Sequence, residues 1–272
     1  MNYTLKQKTA ITLRCIVYFI LGILDQKVFK KELPHIILCY HSINEDKWRF
    51  SESISEFKKQ IEYLQTRYKF ITPHDLVDHV TGVKKLTKPS VLLTFDDGYQ
   101  NLLSIKYYLK EKGIKPLFFI LSQPYNANRQ ELHNDLPLLS ENEVQELKKD
   151  GWTIGCHSAT HADFYNLSDN QIVREVINSK TEIESLYKTK VDYFAYPKGA
   201  YNDKILDAVK QAGYKLCFSM DSDFITQKTD VRVLPRTGVD RTHKFTEFKY
   251  MLTASSIIMR KLLMKTFLGK LI

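Results

Sequence analysis

The stretch Val91–Tyr99, which reads VLLTFDDGY, is an apolar run that ends in two adjacent carboxylates and a glycine. Short apolar runs containing β-branched and aromatic residues are typical of buried strands. The carboxyl ends of parallel strands meet at the face where ligands bind, and neighbouring side chains point to opposite sides. The stretch therefore predicts a strand that delivers Asp96 and Asp97 to a binding face, with an Asp-Asp-Gly turn of no functional role as the alternative.

Similar apolar runs alternate with helical patterns from about residue 34 onward. Apolar residues three and four apart indicate a helix over Ser55–Tyr68, and capping boxes mark helix starts at Ser140 with Glu143 and at Ser168 with Gln171. This alternation predicts an α/β fold, a distorted (β/α) barrel of about seven parallel strands. The strand-like runs are Ile36–His41, Phe70–Thr72, Val91–Phe95, Leu117–Leu121, Trp152–Cys156, Val191–Tyr196, Leu216–Ser219 and Val231–Leu234.

The formal net charge of +9 is concentrated at the two ends of the 272-residue chain. Residues 1–33 sum to +4 and residues 241–272 to +6, which leaves −1 for residues 34–240. A near-neutral centre argues against a nucleic-acid partner, and nothing indicates an obligate protein partner. We divide the chain into a basic apolar N-terminal segment (1–33), a barrel (34–240) and a basic apolar C-terminal tail (241–272).

The N-terminal segment contains Ala10–Leu24, fifteen residues interrupted only by Arg14 and flanked by lysines. Three interpretations remain open: an uncleaved anchor or interfacial helix, a signal sequence, and a core helix. Residues Ala10–Phe29 could cross a bilayer if Arg14 and Asp25 reached its interfaces, and no small-residue cleavage site follows Leu24. Because anionic lipid attracts Lys and Arg, the basic apolar ends predict membrane association.

A second motif places two histidines directly after a predicted strand, in Gly151–His161, which reads GWTIGCHSATH. If the chain turns helical there, His157 and His161 share one face and can reach one metal ion. One carboxylate and two imidazoles with an open position suit a catalytic divalent ion, and a second carboxylate suits a general base. A third strand end carries His41, which could protonate a leaving group.

The four cysteines are widely and irregularly spaced, which predicts neither a zinc ribbon nor a disulfide framework. We interpret them as free thiols: Cys15, Cys39, Cys156 and Cys217.

Two motifs resemble those of the polysaccharide deacetylase family, the NodB-homology carbohydrate esterases. Thr94–Tyr99 (TFDDGY) resembles the family's T-F-D-D-G motif, and His157–His161 (HSATH) resembles its H-S/T-x-x-H motif. With weaker matches at Trp152–Gly155, Tyr196–Gly199 and Leu234–Arg236, the resemblance covers roughly residues 34–240. It implies a distorted barrel that hydrolyses an N-acetyl group of an amino sugar, a carbon-nitrogen bond other than a peptide bond, with the help of a metal.

Carried over to this chain, the resemblance implies that Asp97, His157 and His161 hold one divalent metal ion while Asp96 is the general base. The ion expected is Zn²⁺, with Co²⁺ and Ni²⁺ as alternatives. The substrate implied is an N-acetylated amino-sugar polymer, and the setting is the bacterial inner membrane or cell envelope, with the side left open.

The chain departs from the family at two places. The arginine expected before the proline of Phe194–Gly199 (FAYPKG) is missing, and Arg236 is the candidate replacement that pairs with the catalytic aspartate. The turn at Tyr196 and Lys198 remains a candidate oxyanion or substrate contact. The family's last motif, which supplies the general acid, has no clear counterpart.

The missing general acid has two candidates. Cys39-Tyr40-His41 resembles the arrangement of the circularly permuted poly-N-acetylglucosamine deacetylases, so His41 takes the acid role ahead of His243.

Two functions remain as alternatives to the polysaccharide deacetylase: a deacylase of a lipid-linked (polyprenyl-phosphate) amino sugar at the membrane surface, and a non-catalytic carbohydrate-binding barrel.

Overall fold

Strands and helices alternate along most of the chain in the computed structural model, which describes residues 4–127, 132, 133, 135–264 and 266. The strands are β1 (Ile36–Tyr40), β2 (Ser42–Ile43), β3 (Ser51–Glu52), β4 (Lys69–Phe70), β5 (Ser90–Phe95), β6 (Leu117–Ile120), β7 (Thr153–Cys156), β8 (Tyr193–Ala195), β9 (Leu216–Phe218) and β10 (Thr237–Gly238). The α-helices are α1 (Leu5–Ile23), α2 (Ile54–Arg67), α3 (Pro73–Val80), α4 (Lys106–Glu111), α5 (Glu141–Lys149), α6 (Asp169–Ile172), α7 (Ser179–Tyr187), α8 (Asp203–Gln211), α9 (Phe245–Met251) and α10 (Ala254–Met264). The predicted capping boxes at Ser140 and Ser168 are both formed.

The strands form one curled parallel sheet in the order β10-β1-β5-β6-β7-β8-β9, and β4 pairs with the start of β5. This confirms the predicted distorted barrel of about seven parallel strands. Because the strands are parallel, their carboxyl ends meet at one edge of the sheet, where a site can assemble.

A single segment after β9 joins the two edges of the curled sheet. Leu234 forms a bridge with Phe218 of β9, and three residues later β10 pairs with Leu38 and Cys39 of β1. The predicted strand Val231–Leu234 is therefore wrong: it forms only this bridge. Residues 231–233 instead form a turn in which Val233 N donates to Asp230 O at 3.0 Å. Pro235, which has no N–H to donate, prevents the pairing from extending beyond the bridge.

Alternate residues of β5 face opposite layers of the core, although every residue of the strand is buried. Val91, Leu93 and Phe95 belong to the cluster that packs against the helices. Leu92 faces a second cluster, formed by inward-facing side chains of β1, β6, β8 and β9. By the period of two, Asp96 follows Leu92 onto the inner side of the barrel.

Helix α1 packs against the C-terminal helices through buried charges. Arg14 Nε donates to Glu247 Oε1 of α9 at 2.6 Å, and Arg14 Nη2 donates to Thr242 Oγ1 at 2.9 Å. Asp25, in the π-helical turn that extends α1, accepts hydrogen bonds of 2.6 Å from Ser255 N and Oγ. The two charged side chains that interrupt the apolar N-terminal segment thus have partners within the protein.

One side of α1 docks closely while the other remains exposed. A Cβ on Gly22 would lie 2.1 Å from a ring atom of Tyr250, so glycine allows the close approach to α9. The residues Gln7–Val28 are long and apolar enough to cross a membrane by length and composition, a test that core helices and signal sequences also pass. Large apolar side chains exposed on α1 and α10 are Leu5, Leu13, Ile16, Phe19, Ile20, Ile258, Leu262 and Met264.

We predict that Arg14→Met lowers the free energy of unfolding by about 3–5 kcal/mol, because it leaves the Glu247 carboxylate buried without its partner. Arg14→Met combined with Glu247→Leu recovers most of this loss, since both charges are then removed. Denaturant unfolding measures the effect, with the exposed Lys8→Met as the control. Unfolding of Arg14→Met at the wild-type denaturant concentration would show that α1 is not part of the folded body.

Candidate active site

Two adjacent carboxylates at the end of β5 point in different directions. Asp96 keeps the inward direction of the strand, whereas Asp97 has a φ of 69°, in the left-handed region. Gly98 follows with a φ of 69°, and a Cβ there would lie 3.0 Å from the side chain of Ile120. The backbone reversal at these two residues gives each carboxylate its own set of partners.

Asp96 forms a buried bidentate ion pair with Arg236. Arg236 Nη1 donates to Asp96 Oδ1 at 2.6 Å and Nη2 donates to Oδ2 at 2.7 Å, while Nε donates to Ser219 O at 3.1 Å. Burial alone would raise the pKa of Asp96, but the charge of Arg236 and its hydrogen bonds hold that pKa well below its usual range. Asp96 is therefore ionised at neutral pH, and the structure places Arg236 where the sequence predicted it.

Cys39 is a contact of Asp96 that sequence analysis missed. Its Sγ lies 3.4 Å from Asp96 Oδ2 and donates a hydrogen bond to it. Burial raises the pKa of the Cys39 thiol well above its usual value, so the thiol keeps its proton and remains a donor. The only sequence signal for Cys39 was its position in the first predicted strand, two residues before His41.

The two motif histidines meet in a loop and not on a helix. Their ring centroids are 5.1 Å apart. The helical turn that would have placed both on one face is not formed, because Ser158 and His161 have φ values of 71° and 56°, which a right-handed helix does not contain. The sharp loop, and not a helical spacing of four, brings the two imidazoles together.

Glu175 fixes this histidine loop from a distance in sequence. Its Oε2 accepts hydrogen bonds from the backbone N–H groups of Ala159 and Thr160 at 3.0 and 2.9 Å, and its Oε1 accepts one from Thr160 Oγ1 at 2.8 Å. Glu175 lies in the π-helical turn Val173–Asn178, an irregularity that is frequent near functional sites. Sequence analysis missed this carboxylate because it lies inside an ordinary amphipathic pattern.

Asp97, His157 and His161 form a group whose ligand atoms lie within 4.8 Å of one another and could hold a metal ion. Asp97 Oδ1 is 3.3 Å from His157 Nε2 and 3.6 Å from His161 Nε2. Two ligands of a tetrahedral ion bonded at about 2.0–2.1 Å lie roughly 3.3 Å apart, so the spacing fits Zn²⁺.

The hydrogen bonding of this group also suits a metal. Among the described residues, Asp97 Oδ1 is a buried oxygen without a hydrogen-bond partner, and such atoms call for an explanation. His157 Nδ1 lies 2.8 Å from Ala195 O, which leaves Nε2 turned towards Asp97. Burial lowers the pKa of His161 to about 4, so its imidazole is neutral and able to bind a metal at neutral pH.

His41 and His243 occupy different places. A ring nitrogen of His41 lies within 4.8 Å of a carboxylate oxygen of Asp96, and the ring packs 5.0 Å from that of Phe50. His243 instead lies beside Asp240, with Nδ1 3.3 Å from Oδ1, and does not line the cavity that contains the carboxylates. The structure thus brings His41, and not His243, to the predicted site.

Of the two residues predicted as oxyanion or substrate contacts, Lys198 lines the cavity and Tyr196 does not. Lys198 has a φ of 55° and lines the cavity. The Tyr196 side chain is fully buried, its hydroxyl donates to Arg232 O at 2.7 Å, and it does not line the cavity. The Tyr196 side chain therefore does not reach this cavity, and a contact between the turn and substrate stays a prediction.

The active-site cavity has a volume of about 410 Å³ and joins these groups in one space. Sequence analysis did not identify Trp48, Phe50 and Met220, which form its apolar wall. Its lining residues are His41, Trp48, Phe50, Asp96, Asp97, His157, His161, Lys198, Gly199 and Met220.

The fold and the motif residues have counterparts among known proteins. The family model for polysaccharide deacetylase matches residues 83–217. A poly-beta-1,6-N-acetyl-D-glucosamine N-deacetylase of Staphylococcus aureus is 28% identical over 224 residues, which cover 77% of this chain and 75% of that protein.

Solved structures show the same fold. IcaB from Ammonifex degensii has a TM-score of 0.73 at 22% identity, covering 82% of this chain and 99% of that one. The deacetylase PplD of Streptococcus pyogenes, solved with acetate, has a TM-score of 0.67 at 20% identity, covering 80% and 97%. The paired motifs at the ends of β5 and β7 lie within residues 83–217, and this part of the chain is a domain of the polysaccharide deacetylase family.

Proposed function

We propose that the protein is a metal-dependent hydrolase that removes N-acetyl groups from an amino-sugar polysaccharide. The observation that supports this function best is the presence, in one cavity, of an arginine-paired carboxylate beside a separate carboxylate and two histidines. Relatives named for the deacetylation of poly-N-acetylglucosamine support a polymer of N-acetylated amino sugars as the substrate.

Asp97, His157 and His161 would hold the metal ion, and this donor set favours Zn²⁺, with Co²⁺ and Ni²⁺ as alternatives. When bound, the ion supplies an acidified water and a positive charge for the amide oxygen. These three side chains are buried, and charge interactions are stronger at a buried site than in bulk water.

The chain's own residues would carry the proton transfers. Asp96 accepts a proton from the attacking water, and Arg236 keeps the carboxylate ionised and fixes its plane. His41 gives a proton to the departing amine, which turns a poor leaving group into the free amino sugar. The turn at Lys198 lies at the same cavity, where it can contact the developing oxyanion.

We predict that Asp96→Asn lowers acetate release by roughly 10²–10⁴-fold, because the amide cannot accept the proton. The measurement is acetate released from poly-N-acetylglucosamine by zinc-loaded protein, with the metal content of each variant determined alongside. The surface variant Asp169→Asn is the control and should retain full activity. Equal activity of Asp96→Asn and the control would exclude Asp96 as the base. No acetate from wild-type protein on any N-acetylated amino sugar would leave a non-catalytic carbohydrate-binding barrel.

A second candidate substrate, a lipid-linked amino sugar, is favoured by the exposed apolar side of α1 and α10. Leu13, Ile16 and Ile20 of α1 are each at least half exposed and lie three and four residues apart. Exposed lysines at both ends of the helix would attract anionic lipid, at about 1 kcal/mol each. We propose that the protein associates with a membrane through this side of α1, at the bacterial inner membrane or cell envelope.

The membrane proposal predicts that the protein floats with vesicles of phosphatidylcholine and phosphatidylglycerol in a density gradient. Replacing Leu13, Ile16 and Ile20 together by Glu should abolish flotation, since charged side chains do not enter the apolar layer. Val83→Glu, at a more exposed valine outside both helices, is the control. Flotation that persists in the triple variant, or that is absent in the wild type, contradicts the proposal.

A further inference from the structure

A second cavity, of about 210 Å³, adjoins the active-site cavity on the side of α1 and α10. We call it the side cavity. The two cavities share His41, Phe50 and Met220 as lining residues. Tyr18 of α1 and Arg260 of α10 also line the side cavity. The two cavities therefore lie next to each other, against the same three side chains.

Arg260 is a buried cation without an anionic partner among the residues that the structure describes. Only 8% of the residue is exposed. Its guanidinium donates to three neutral oxygens, at 3.0 Å to Ser222 Oγ, 2.6 Å to Met251 O and 3.2 Å to Thr237 Oγ1. The ring of Tyr18 lies 5.6 Å from its central carbon. These contacts hold the guanidinium in place but do not neutralise it.

The other arginines around the side cavity are paired with carboxylates. Arg236 is paired with Asp96, and Arg49 Nε donates to Asp240 Oδ2 at 2.7 Å. The same Asp240 also accepts from Thr242 and lies beside His243, so its oxygens are already engaged. Among the described residues, Arg260 is therefore the arginine of this wall that has no carboxylate partner.

A buried charge without a counter-charge is costly, and an anion that neutralises it is bound correspondingly well. The terminal carbonyl of α9 at Met251 offers only the partial charge of a helix end. Arginine has five N–H donors in a planar fork that matches phosphate and carboxylate oxygens. Arg260 uses three of its nitrogens as donors to the protein, and further N–H groups are left for a ligand.

We propose that the side cavity is a binding subsite for an anionic group, a phosphate or a carboxylate, carried by the sugar chain whose N-acetyl group is removed. This inference rests on the proposed function and narrows its substrate class. A neutral N-acetylglucosamine polymer does not use the subsite, whereas an amino sugar that carries a phosphate or a carboxylate does. Because Tyr18 belongs to α1, the subsite also joins the active site to the helix proposed to contact a membrane.

Binding measured by calorimetry tests the subsite without any turnover. The ligands are N-acetylglucosamine 1-phosphate, N-acetylmuramic acid and the neutral methyl N-acetylglucosaminide, and the first two separate phosphate from carboxylate. We expect at least one anionic sugar to bind wild-type protein at least tenfold more tightly than the neutral one. Arg260→Gln should remove that difference, and Lys261→Met, at the exposed neighbour paired with Asp223, should preserve it.

Equal binding of anionic and neutral sugars by the wild type overturns the proposal, whether or not Arg260→Gln folds. A preference that survives in Arg260→Gln but is lost in His161→Ala also overturns it, because the anion would then bind at the metal group.

Acetate release separates this inference from the proposed function. If the subsite exists, Arg260→Gln raises KM for the preferred anionic sugar at least tenfold and leaves both KM and kcat for the neutral sugar unchanged. Equal losses on both substrates would assign Arg260 a structural role and contradict the inference. If no acetate is released from any substrate although the calorimetric preference is present, the proposed function fails and the subsite stands.

Discussion

The candidate site depends on the buried ion pair between Asp96 and Arg236, which joins two distant segments of the sheet. Asp96 directly follows β5, an interior strand of the sheet, whereas Arg236 lies on the segment that joins β9 to β1. The pair therefore couples closure of the curled sheet to the orientation of a carboxylate. A well-packed apolar pair would often be as stable as a buried ion pair. Stability alone does not explain the pair, but the need for an ionised, fixed carboxylate does.

Backbone strain is concentrated around the same carboxylates. Non-glycine residues with positive φ cost about 1–3 kcal/mol each and persist only where surrounding contacts hold them. Four of those that the described part of the chain contains lie at the candidate site: Asp97, Ser158, His161 and Lys198. The hydrogen bonds that Glu175 accepts from the histidine loop and the packing of Gly98 against β6 supply such contacts. The site thus draws on the stability of the whole barrel to hold its ligand atoms within a few ångströms.

The sequence predicted what depends on local pattern. The apolar runs located β5, β6 and β7 within a residue or two, because a buried parallel strand requires a continuous apolar stretch. The motif ends placed Asp97, His157 and His161 together, because parallel strands end at one edge.

Contacts between distant parts of the chain were harder to predict. The packing of α1 through Arg14 could not be predicted, because the composition of this apolar segment is also typical of a membrane anchor. The thiol of Cys39 and the carboxylate of Glu175 carry no pattern that marks their roles, and the motif at Tyr196 does not show that its ring is buried away from the cavity.

We propose that Arg236 takes the place of the arginine missing before Pro197 and fixes the carboxylate of the proposed base, Asp96. The most direct measurement is acetate release by zinc-loaded Arg236→Lys, with metal content and melting temperature recorded on the same sample. Lysine keeps the positive charge but cannot form two parallel hydrogen bonds to one carboxylate. We expect Arg236→Lys to lower kcat at least tenfold while one metal ion remains bound per chain. A kcat within twofold of wild type, at equal metal content, would contradict it.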